Sequence, residues 1–351
     1  MTQSVSCGEA LISLLEKYDV DTVFGIPGVH TLDLYRGLAH SNIQHIQARN
    51  EQGAGFMADG YARLSGKPGV CVLISGPGVT NACTPMGQSF ADSIPVLVIS
   101  STTASYSLGK GWGCLHEVTD LEAVTRPLTA LSATAGSPDD LEELIGQAFS
   151  IFASERPRPV HIAVPIDVLA QPVNSTWQRR VVPALPAPSG SAIREAAALL
   201  RQAERPLIYA GGGAVNAAST LTEIAERLDA AVITTTAGKG VVPDSHPLCI
   251  GGGIVRPQAR DFLGQADVIL AIGTEMSETD SFVERLTLNG QLIRIDIDPR
   301  KMNDLYPAAI GIVSDAGFAA RELLSAPVSY THLRAHETDS YLVCRLLLEK
   351  K

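Results

Sequence analysis

Basic segments are missing from this sequence. Its 27 Lys and Arg residues are outnumbered by 37 Asp and Glu residues, which gives a formal net charge of −10, and no basic run stands out. Nucleic acids and anionic membrane surfaces are bound by basic faces, so neither is expected as a partner. The opening residues, MTQSVSCGEA, lack the basic and apolar stretches of a signal peptide. We therefore predict a cytoplasmic protein.

Long apolar runs and metal-binding motifs are missing as well. No apolar run approaches the roughly 18 residues that a membrane helix needs, so no membrane partner is expected. No C-x-x-C pair occurs among the six cysteines, which are Cys7, Cys71, Cys83, Cys114, Cys249 and Cys344. Scattered thiols are typical of small buried side chains in a reducing compartment, and the sequence predicts no metal site.

Short apolar runs alternate with amphipathic segments in residues 1–170. The runs DTVFGI, IQHIQA, GVCVLIS, IPVLVIS and RPVHIAVP are bounded by Gly, Pro or polar residues, as buried parallel strands are. Helical patterns such as CGEALISLLEKY and DDLEELIGQAFSIFAS lie between them. The alternation predicts an α/β fold with a doubly wound parallel sheet.

A second alternating region follows a proline-rich stretch. Residues 171–190 contain four prolines and are interpreted as an extended linker. The runs RPLIYAGGGAV, AAVITTT, ADVILAIG and QLIRIDIDP then predict a second, Rossmann-like parallel-sheet domain over residues 191–327. Residues 328–351 break this rhythm and resemble translated sequencing-adapter DNA at the end of a truncated gene. We interpret them as a non-native tail, with an ordinary C-terminal helix as the alternative.

Three features follow the first three strands of the first domain. They are the loop GIPGVH (25–30), the carboxylate Glu51 and the loop SGPGVTNA (75–82). Open parallel sheets bind ligands beyond the carboxyl ends of their strands, so we expect these features to meet at one site. The glycines let the backbone approach a ligand closely. Simple tight turns, with Glu51 favoured by a helix N-terminus, are the alternative.

Several motifs resemble those of one enzyme family. FGIPG, RNEQGAGFMADGYAR, ISGPGVTNA and RPRPVHIAVPIDV resemble the pyrimidine-binding domain of thiamine-diphosphate enzymes of the acetolactate synthase and 2-oxo acid decarboxylase type. RPLIYAGGGAV, TTTAGKGVVP and IRIDIDP resemble the central domain of that family. The resemblance runs from residue 4 to residue 327. Within the family, SLGKGWGCLHE is most similar to 5-guanidino-2-oxopentanoate decarboxylases of arginine breakdown.

The resemblance implies a cofactor site around Glu51. In the family a glutamate hydrogen-bonds N1′ of the aminopyrimidine of thiamine diphosphate, and this bond promotes loss of the proton from C2 of the thiazolium ring. A glutamate that exchanges protons in this way needs a site away from water. By the same resemblance, the remaining pocket residues are Pro27, Gly28, Ser75, Gly78 and Asn81.

The resemblance also implies substrate contacts. Val29 and His30 lie where related decarboxylases place active-site side chains. At His116 the acetolactate synthases have the amide of a Phe-Gln-Glu segment, and a titratable imidazole suits an enzyme in which a proton replaces departing CO2. Glu117 or Asp120 is expected to bind the guanidinium group of a substrate.

The second domain and the end of the chain complete these expectations. The AGGGAV loop lacks G-x-G-x-x-G spacing, so no FAD is expected. Family members carry a third domain whose Gly-Asp-Gly motif and later Asn hold Mg²⁺ and the diphosphate. We find no such motif and expect this chain to be truncated and inactive alone. The family holds its cofactor between two subunits, so self-association to at least a dimer is expected.

Three functions stay open from the sequence. The first is non-oxidative decarboxylation of a small-molecule 2-oxo acid to an aldehyde and CO2. The second is carboligation of the acetolactate-synthase type, in which a second 2-oxo acid is added instead of a proton. The third is a non-catalytic nucleotide-binding or assembly fragment.

Overall fold

In the computed structural model of the chain, residues 5–174 and 176–326 are described. They divide into two compact units that part between Ala184 and Leu185. The expectation of a non-native tail at 328–351 lies outside the described residues.

The first unit contains a six-stranded sheet and a separate two-stranded one. Its strands are β1 (Val5–Ser6), β2 (Thr22–Gly25), β3 (Gln44–Gln47), β4 (Gly69–Leu73), β5 (Val96–Thr102), β6 (Leu131–Thr134), β7 (Val160–Pro165) and β8 (Pro172–Val173). Its helices are α1 (Cys7–Lys17), α2 (Leu32–Ala39), α3 (Glu51–Ser65), α4 (Pro77–Asp92), α5 (Leu121–Thr125), α6 (Pro138–Ser154) and α7 (Ile166–Leu169). Every neighbouring pair in the large sheet is parallel.

A capping residue and an apolar face determine where α1 begins and how it packs in the first unit. Ser6 caps α1 in a reciprocal arrangement, in which Glu9 N donates to Ser6 Oγ and Ser6 N donates to the Glu9 carboxylate. The apolar face of α1 buries Leu11, Leu14 and Leu15 in the core of the unit. β4 and β5 are buried along their whole length, as strands covered on both faces are.

The order of the large sheet is β3-β2-β4-β5-β7-β6. From β2 the chain steps outward to β3 and then returns to β4 on the other side of β2. β2 and β4 are adjacent, and the loops at their carboxyl ends lead in opposite directions, which leaves a crevice between them. This is the topological switch point, where open α/β sheets bind ligands.

The segment expected to be a linker begins by packing on the first unit. Val173 pairs with Val5 where β8 joins β1 antiparallel. Trp177 is buried in the first core, and Arg180 N donates to the hydroxyl of Tyr18 at 3.0 Å. Apolar side chains at 173 and 177 gain more from the core than from solvent, so only the part of the segment after them can act as a connector.

The second unit is built on one six-stranded parallel sheet. Its strands are β9 (Pro206–Ala210), β10 (Ala231–Thr234), β11 (Cys249–Gly251), β12 (Val268–Ile272), β13 (Gln291–Asp296) and β14 (Ile310–Val313). Its helices are α8 (Gly190–Gln202), α9 (Ala218–Leu228), α10 (Pro257–Leu263), α11 (Glu278–Ser281) and α12 (Ala316–Ser325). The order β11-β10-β9-β12-β13-β14 is that of a Rossmann-type doubly wound sheet. The predicted fold class, two doubly wound parallel-sheet domains, is confirmed.

Within the described ranges, every helix is too short or too polar to span a bilayer.

A buried histidine ties the first sheet to α5. His161 on β7 is fully buried, with Nε2 at 2.9 Å from Ser100 Oγ and Nδ1 at 2.8 Å from Thr125 Oγ1. A neutral imidazole can donate one of these hydrogen bonds and accept the other. Burial lowers the pKa of His161 to about 4, so the ring stays neutral at pH 7.

Acid should therefore destabilise the first unit through His161. Its pKa is lower in the folded state than the ordinary value of 6.5, so the unfolded state takes up the proton first. The free energy of unfolding is full above pH 6.5 and falls by about 3 kcal/mol as the pH drops to 4. Urea unfolding at pH 7 and pH 4.5 measures this loss.

The matched variant is His161→Gln, whose amide keeps one donor and one acceptor. It should be less stable than the natural chain at pH 7 but lose less free energy of unfolding between pH 7 and pH 4.5. Equal losses in the two proteins would contradict this account of His161.

Candidate functional site

Two glycines from different loops rest on one side chain at the switch point. A Cβ at Gly28 would lie 2.6 Å from Ile74 Cδ1, and a Cβ at Gly78 would lie 2.7 Å from Ile74 Cγ2. A Cβ at either position would require the side chain of Ile74 to move. Gly28 is held further by Thr31, whose hydroxyl accepts from Gly28 N at 3.0 Å. The loops after β2 and β4 thus form one surface.

Glu51, Gly78 and Asn81 come together at this surface. Glu51 is the first residue of α3, and the side chain of Asn50 caps that helix by accepting from Gln52 N at 2.8 Å. Asn81, in the second turn of α4, donates from Nδ2 to Glu51 Oε2 at 3.0 Å. Glu51 Oε1 lies 3.7 Å from where a Cβ of Gly78 would stand. One carboxylate oxygen is thus fixed by an amide, and the other faces a residue without a side chain.

Glu51 is half-buried in this chain, whereas a site away from water was expected. Gln52, Gly53 and Phe56 on the same part of α3 are exposed. That part of α3 carries no covering layer among the described residues, so water reaches the carboxylate. Pro27 and Val29 are also exposed.

His30 and His116 face each other beside these loops. Their ring centroids lie 6.0 Å apart at an interplanar angle of 80°. The Nδ1 atom of each ring is buried and has no hydrogen-bond partner among the described residues. Burial, together with the nearby His116, lowers the pKa of His30. Buried polar atoms are rarely left without partners, so two such nitrogens mark a place where a polar group can bind.

The backbone of His116 is held by the loop after β4. His116 has a φ of +59°, a left-handed conformation that costs a residue with a side chain about 1–2 kcal/mol. Ser75, which is buried, donates from Oγ to His116 O at 3.4 Å. Gly76 has a φ of +57°, and a Cβ there would lie 2.2 Å from His116 O. Gly76 must therefore be glycine for two independent reasons.

The two carboxylates considered for a guanidinium have local backbone partners. Glu117 accepts three hydrogen bonds from amides of its own loop, those of Gly111, Gly113 and Cys114. Asp120 caps α5 by accepting from Ala123 N at 2.9 Å. The expectation that either one binds a substrate stays a prediction.

A cavity of about 760 Å³ opens beside this loop. Its lining comes from the start of α4 and the segment before α5, and comprises Pro77, Thr80, Gly109, Lys110, Gly111, Gly113, Cys114, His116, Glu117, Val118 and Thr119. The cavity combines an imidazole, an ammonium and a carboxylate with backbone amides. Such a mixture suits a small polar substrate.

Sequence analysis missed three contributors to this site. Ile74, which supports both glycine loops, looks in the sequence like the end of an apolar strand. Gly76 was seen only as part of a glycine- and proline-rich loop, although a Gly-Pro pair is a turn signal. Lys110 had no signal beyond its glycine neighbours.

Metal ligands do not gather in the part of the chain that the structure describes. No group of three or more His, Cys, Asp or Glu side chains there lies close enough to hold a metal ion.

The glycine run of the second unit has a structural use. Gly213 N donates to Gly273 O at 3.0 Å, and a Cβ at Gly211 would lie 2.2 Å from that same oxygen. The loops after β9 and β12 therefore pack backbone against backbone at the switch point of the second sheet. This packing explains the glycines without a nucleotide, and the absence of FAD stays a prediction.

Comparison with known proteins identifies the family. Residues 5–123 match the N-terminal TPP binding domain of thiamine pyrophosphate enzymes, and residues 193–323 match the central domain of those enzymes. The chain belongs to the thiamine pyrophosphate enzymes. The matched N-terminal segment contains every residue of the site described above.

Named relatives of this chain include a probable decarboxylase and several acetolactate synthases. It is 55% identical to the probable 2-ketoarginine decarboxylase AruI of Pseudomonas aeruginosa over 92% of this chain and 58% of that protein. It is 34% identical to an acetolactate synthase of Mycobacterium bovis, over 92% of this chain and 53% of that protein. It is 33% identical to acetolactate synthase isozyme 1 large subunit of Escherichia coli, over 90% of this chain and 57% of that protein. The chain spans a little over half the length of these relatives.

The residues present fit one end of thiamine diphosphate, the family's cofactor. An aminopyrimidine that is protonated at N1′ can donate a hydrogen bond from that nitrogen, and Glu51 offers Oε1 as an acceptor. Gly78 leaves beside that oxygen the space that a side chain would fill. The described residues thus fit the aminopyrimidine end.

The contact between Gly76 and His116 O predicts that alanine lowers the free energy of unfolding more at position 76 than at position 66. Gly76→Ala should lower the free energy of unfolding by about 1–2 kcal/mol for the left-handed φ, and by about 1–3 kcal/mol more for the overlap with His116 O. Gly66→Ala is the control, because Gly66 also has a positive φ of +71° but no atom within 4 Å of a Cβ. Urea unfolding compares the two, and equal costs would contradict the close approach.

Proposed function

We propose that the protein containing this chain is a thiamine-diphosphate-dependent, non-oxidative decarboxylase of a 2-oxo acid, with 5-guanidino-2-oxopentanoate as its substrate. The observation that carries the proposal is the imidazole of His116, a residue that lines the 760 Å³ cavity and whose buried Nδ1 has no hydrogen-bond partner among the described residues. The name of the 55% identical relative supports it, because 2-ketoarginine is the same compound. The named acetolactate synthases are more distant, at 31–35% identity.

The pyrimidine-binding residues have separate roles in this proposal. When bound, thiamine diphosphate would supply a carbon nucleophile for the oxo group of the substrate. Glu51 accepts a hydrogen bond from the aminopyrimidine ring and holds a proton at N1′. Asn81 keeps the Glu51 carboxylate in one orientation, since it binds Oε2 and leaves Oε1 for the cofactor. Pro27, Gly28, Ser75 and Gly78 shape the pocket.

The histidines handle the proton that decarboxylation consumes. In the overall reaction the 2-oxo acid anion loses CO2 and takes up one proton, which gives the aldehyde. His116 donates this proton at the carbon from which CO2 has left. The lowered pKa of His30 keeps that ring neutral near pH 7, so it can accept a hydrogen bond from a protonated His116 or from substrate. Val29 contacts the substrate from the same turn.

Further parts of the proposal concern the complete protein. Mg²⁺ and the diphosphate are held by residues other than the described ones, and self-association to at least a dimer covers the exposed part of α3 beside Glu51. Residues 1–170 act as the pyrimidine-binding domain and 191–327 as the central domain, which stays without FAD. The reaction takes place in the cytoplasm as a step of arginine breakdown. The guanidinium of the substrate binds Glu117 or Asp120.

Removal of the Glu51 charge should abolish most activity. In the protein as encoded at its source locus, Glu51→Gln should lower kcat about 10²- to 10⁴-fold, because an amide cannot hold the proton at N1′. CO2 release from 5-guanidino-2-oxopentanoate measures the effect. Glu122→Gln, which changes a half-buried carboxylate on α5 that pairs with Arg126, should leave kcat within about twofold. Activity in Glu51→Gln close to that of the Glu122→Gln control would overturn the assignment of Glu51.

Replacement of His116 should change the product. His116→Gln introduces the amide that the acetolactate synthases have, so aldehyde release should fall about 10²- to 10⁴-fold while the share of carboligation product rises. Chromatography of the products from 5-guanidino-2-oxopentanoate and from pyruvate measures both. Acetolactate from the unaltered protein would instead favour the synthase function. Binding of FAD or ADP without turnover would favour a nucleotide-binding module.

A further inference from the structure

The segment between β5 and α5 contains four left-handed residues within eight positions. These are Gly109, Gly111, Gly113 and His116, with φ values of +69°, +66°, +74° and +59°. A Cβ at any of the three glycines would meet no atom within 4 Å. Glycine is needed there for the backbone conformation and not for space. We call residues 109–117 the glycine loop.

The side chain of Glu117 closes the glycine loop on itself. Oε1 accepts from Gly111 N at 2.9 Å, and Oε2 accepts from Gly113 N at 2.8 Å and from Cys114 N at 3.0 Å. Glu117 N in turn donates to Cys114 O at 3.0 Å. An ionised carboxylate only accepts hydrogen bonds, so three converging amides are well matched to it.

His116 is held between this closure and the loop after β4. On one side, its neighbour Glu117 is anchored to the loop amides. On the other, His116 O lies against Gly76 and accepts from Ser75 Oγ. With the backbone fixed at both points, the ring of His116 is left facing His30 at 6.0 Å.

We propose that Glu117 is a positioning residue, whose carboxylate locks the glycine loop and thereby holds His116 against His30. This role engages both carboxylate oxygens of Glu117, so of the two carboxylates proposed for the guanidinium it favours Asp120. The inference rests on the proposed function in one respect, namely that His116 donates a proton in the reaction. Its geometric content is tested without cofactor or substrate.

Amide hydrogen exchange of the chain tests the lock. In Glu117→Gln a single amide oxygen replaces two carboxylate oxygens, and its NH2 group faces amide donors. Exchange at Gly111, Gly113 and Cys114 should become at least about tenfold faster. The amide of Ser105, which donates to Asp167 at 2.8 Å, should keep its rate. Glu122→Gln is the matched control and should change none of these rates.

NMR titration of the His30 ring tests the positioning. If Glu117→Gln releases His116, the pKa of His30 should rise towards its ordinary value, since burial and the nearby His116 lower it. Loss of a negative charge alone would move the pKa of His30 in the opposite direction. The His30 signal is assigned from its disappearance in His30→Gln.

Gly113→Ala opens the loop without changing its charge. Its left-handed φ disfavours alanine, so exchange at Gly111 and Cys114 should accelerate and the pKa of His30 should rise as in Glu117→Gln. The proposal is overturned if Glu117→Gln leaves the three exchange rates unchanged. It is also overturned if the rates rise while the titration of His30 stays where it was. Neither measurement depends on the outcome of the decarboxylation assay.

Discussion

The site depends on one close backbone contact, between Gly76 and the carbonyl oxygen of His116. A Cβ at position 76 would lie 2.2 Å from that oxygen, so the contact exists only because residue 76 is glycine. It joins the loop after β4 to the loop after β5. The first of these loops leads into α4, which carries the partner of Glu51, and the second carries the imidazole that faces His30. Acid, amide and imidazole therefore share one framework.

Much of that framework could be predicted from sequence, because the central strands are uninterrupted apolar runs. β4 and β5 are buried along their whole length, and their carboxyl ends necessarily lead to one edge of a parallel sheet. Two of the strands that were missed lack this signal. β6 consists of the half-buried residues LSAT, and β11 has three residues that end in glycine. Only pairing with a neighbouring strand makes such segments strands.

The candidate site also has features that could be predicted from sequence and features that could not. Glu51 and Asn81 could be placed together because each lies at the start of a helix that leaves the same edge of the sheet. The facing of His30 and His116 could not, since it requires a left-handed histidine, which no propensity predicts. Substrate binding by Glu117 stays a prediction, and the position of its carboxylate among the amides of a loop with three left-handed glycines could not be predicted from sequence. Sequence gives residue type, whereas these roles come from backbone conformation.

The central claim is that Glu51 receives the aminopyrimidine of thiamine diphosphate. A crystal structure of the complete protein with thiamine diphosphate and Mg²⁺ tests it most directly. The account predicts N1′ within about 2.6–3.2 Å of the Glu51 carboxylate, with Asn81 still bound to the other oxygen. An aminopyrimidine bound elsewhere, or a Glu51 carboxylate that contacts only Asn81, would contradict it.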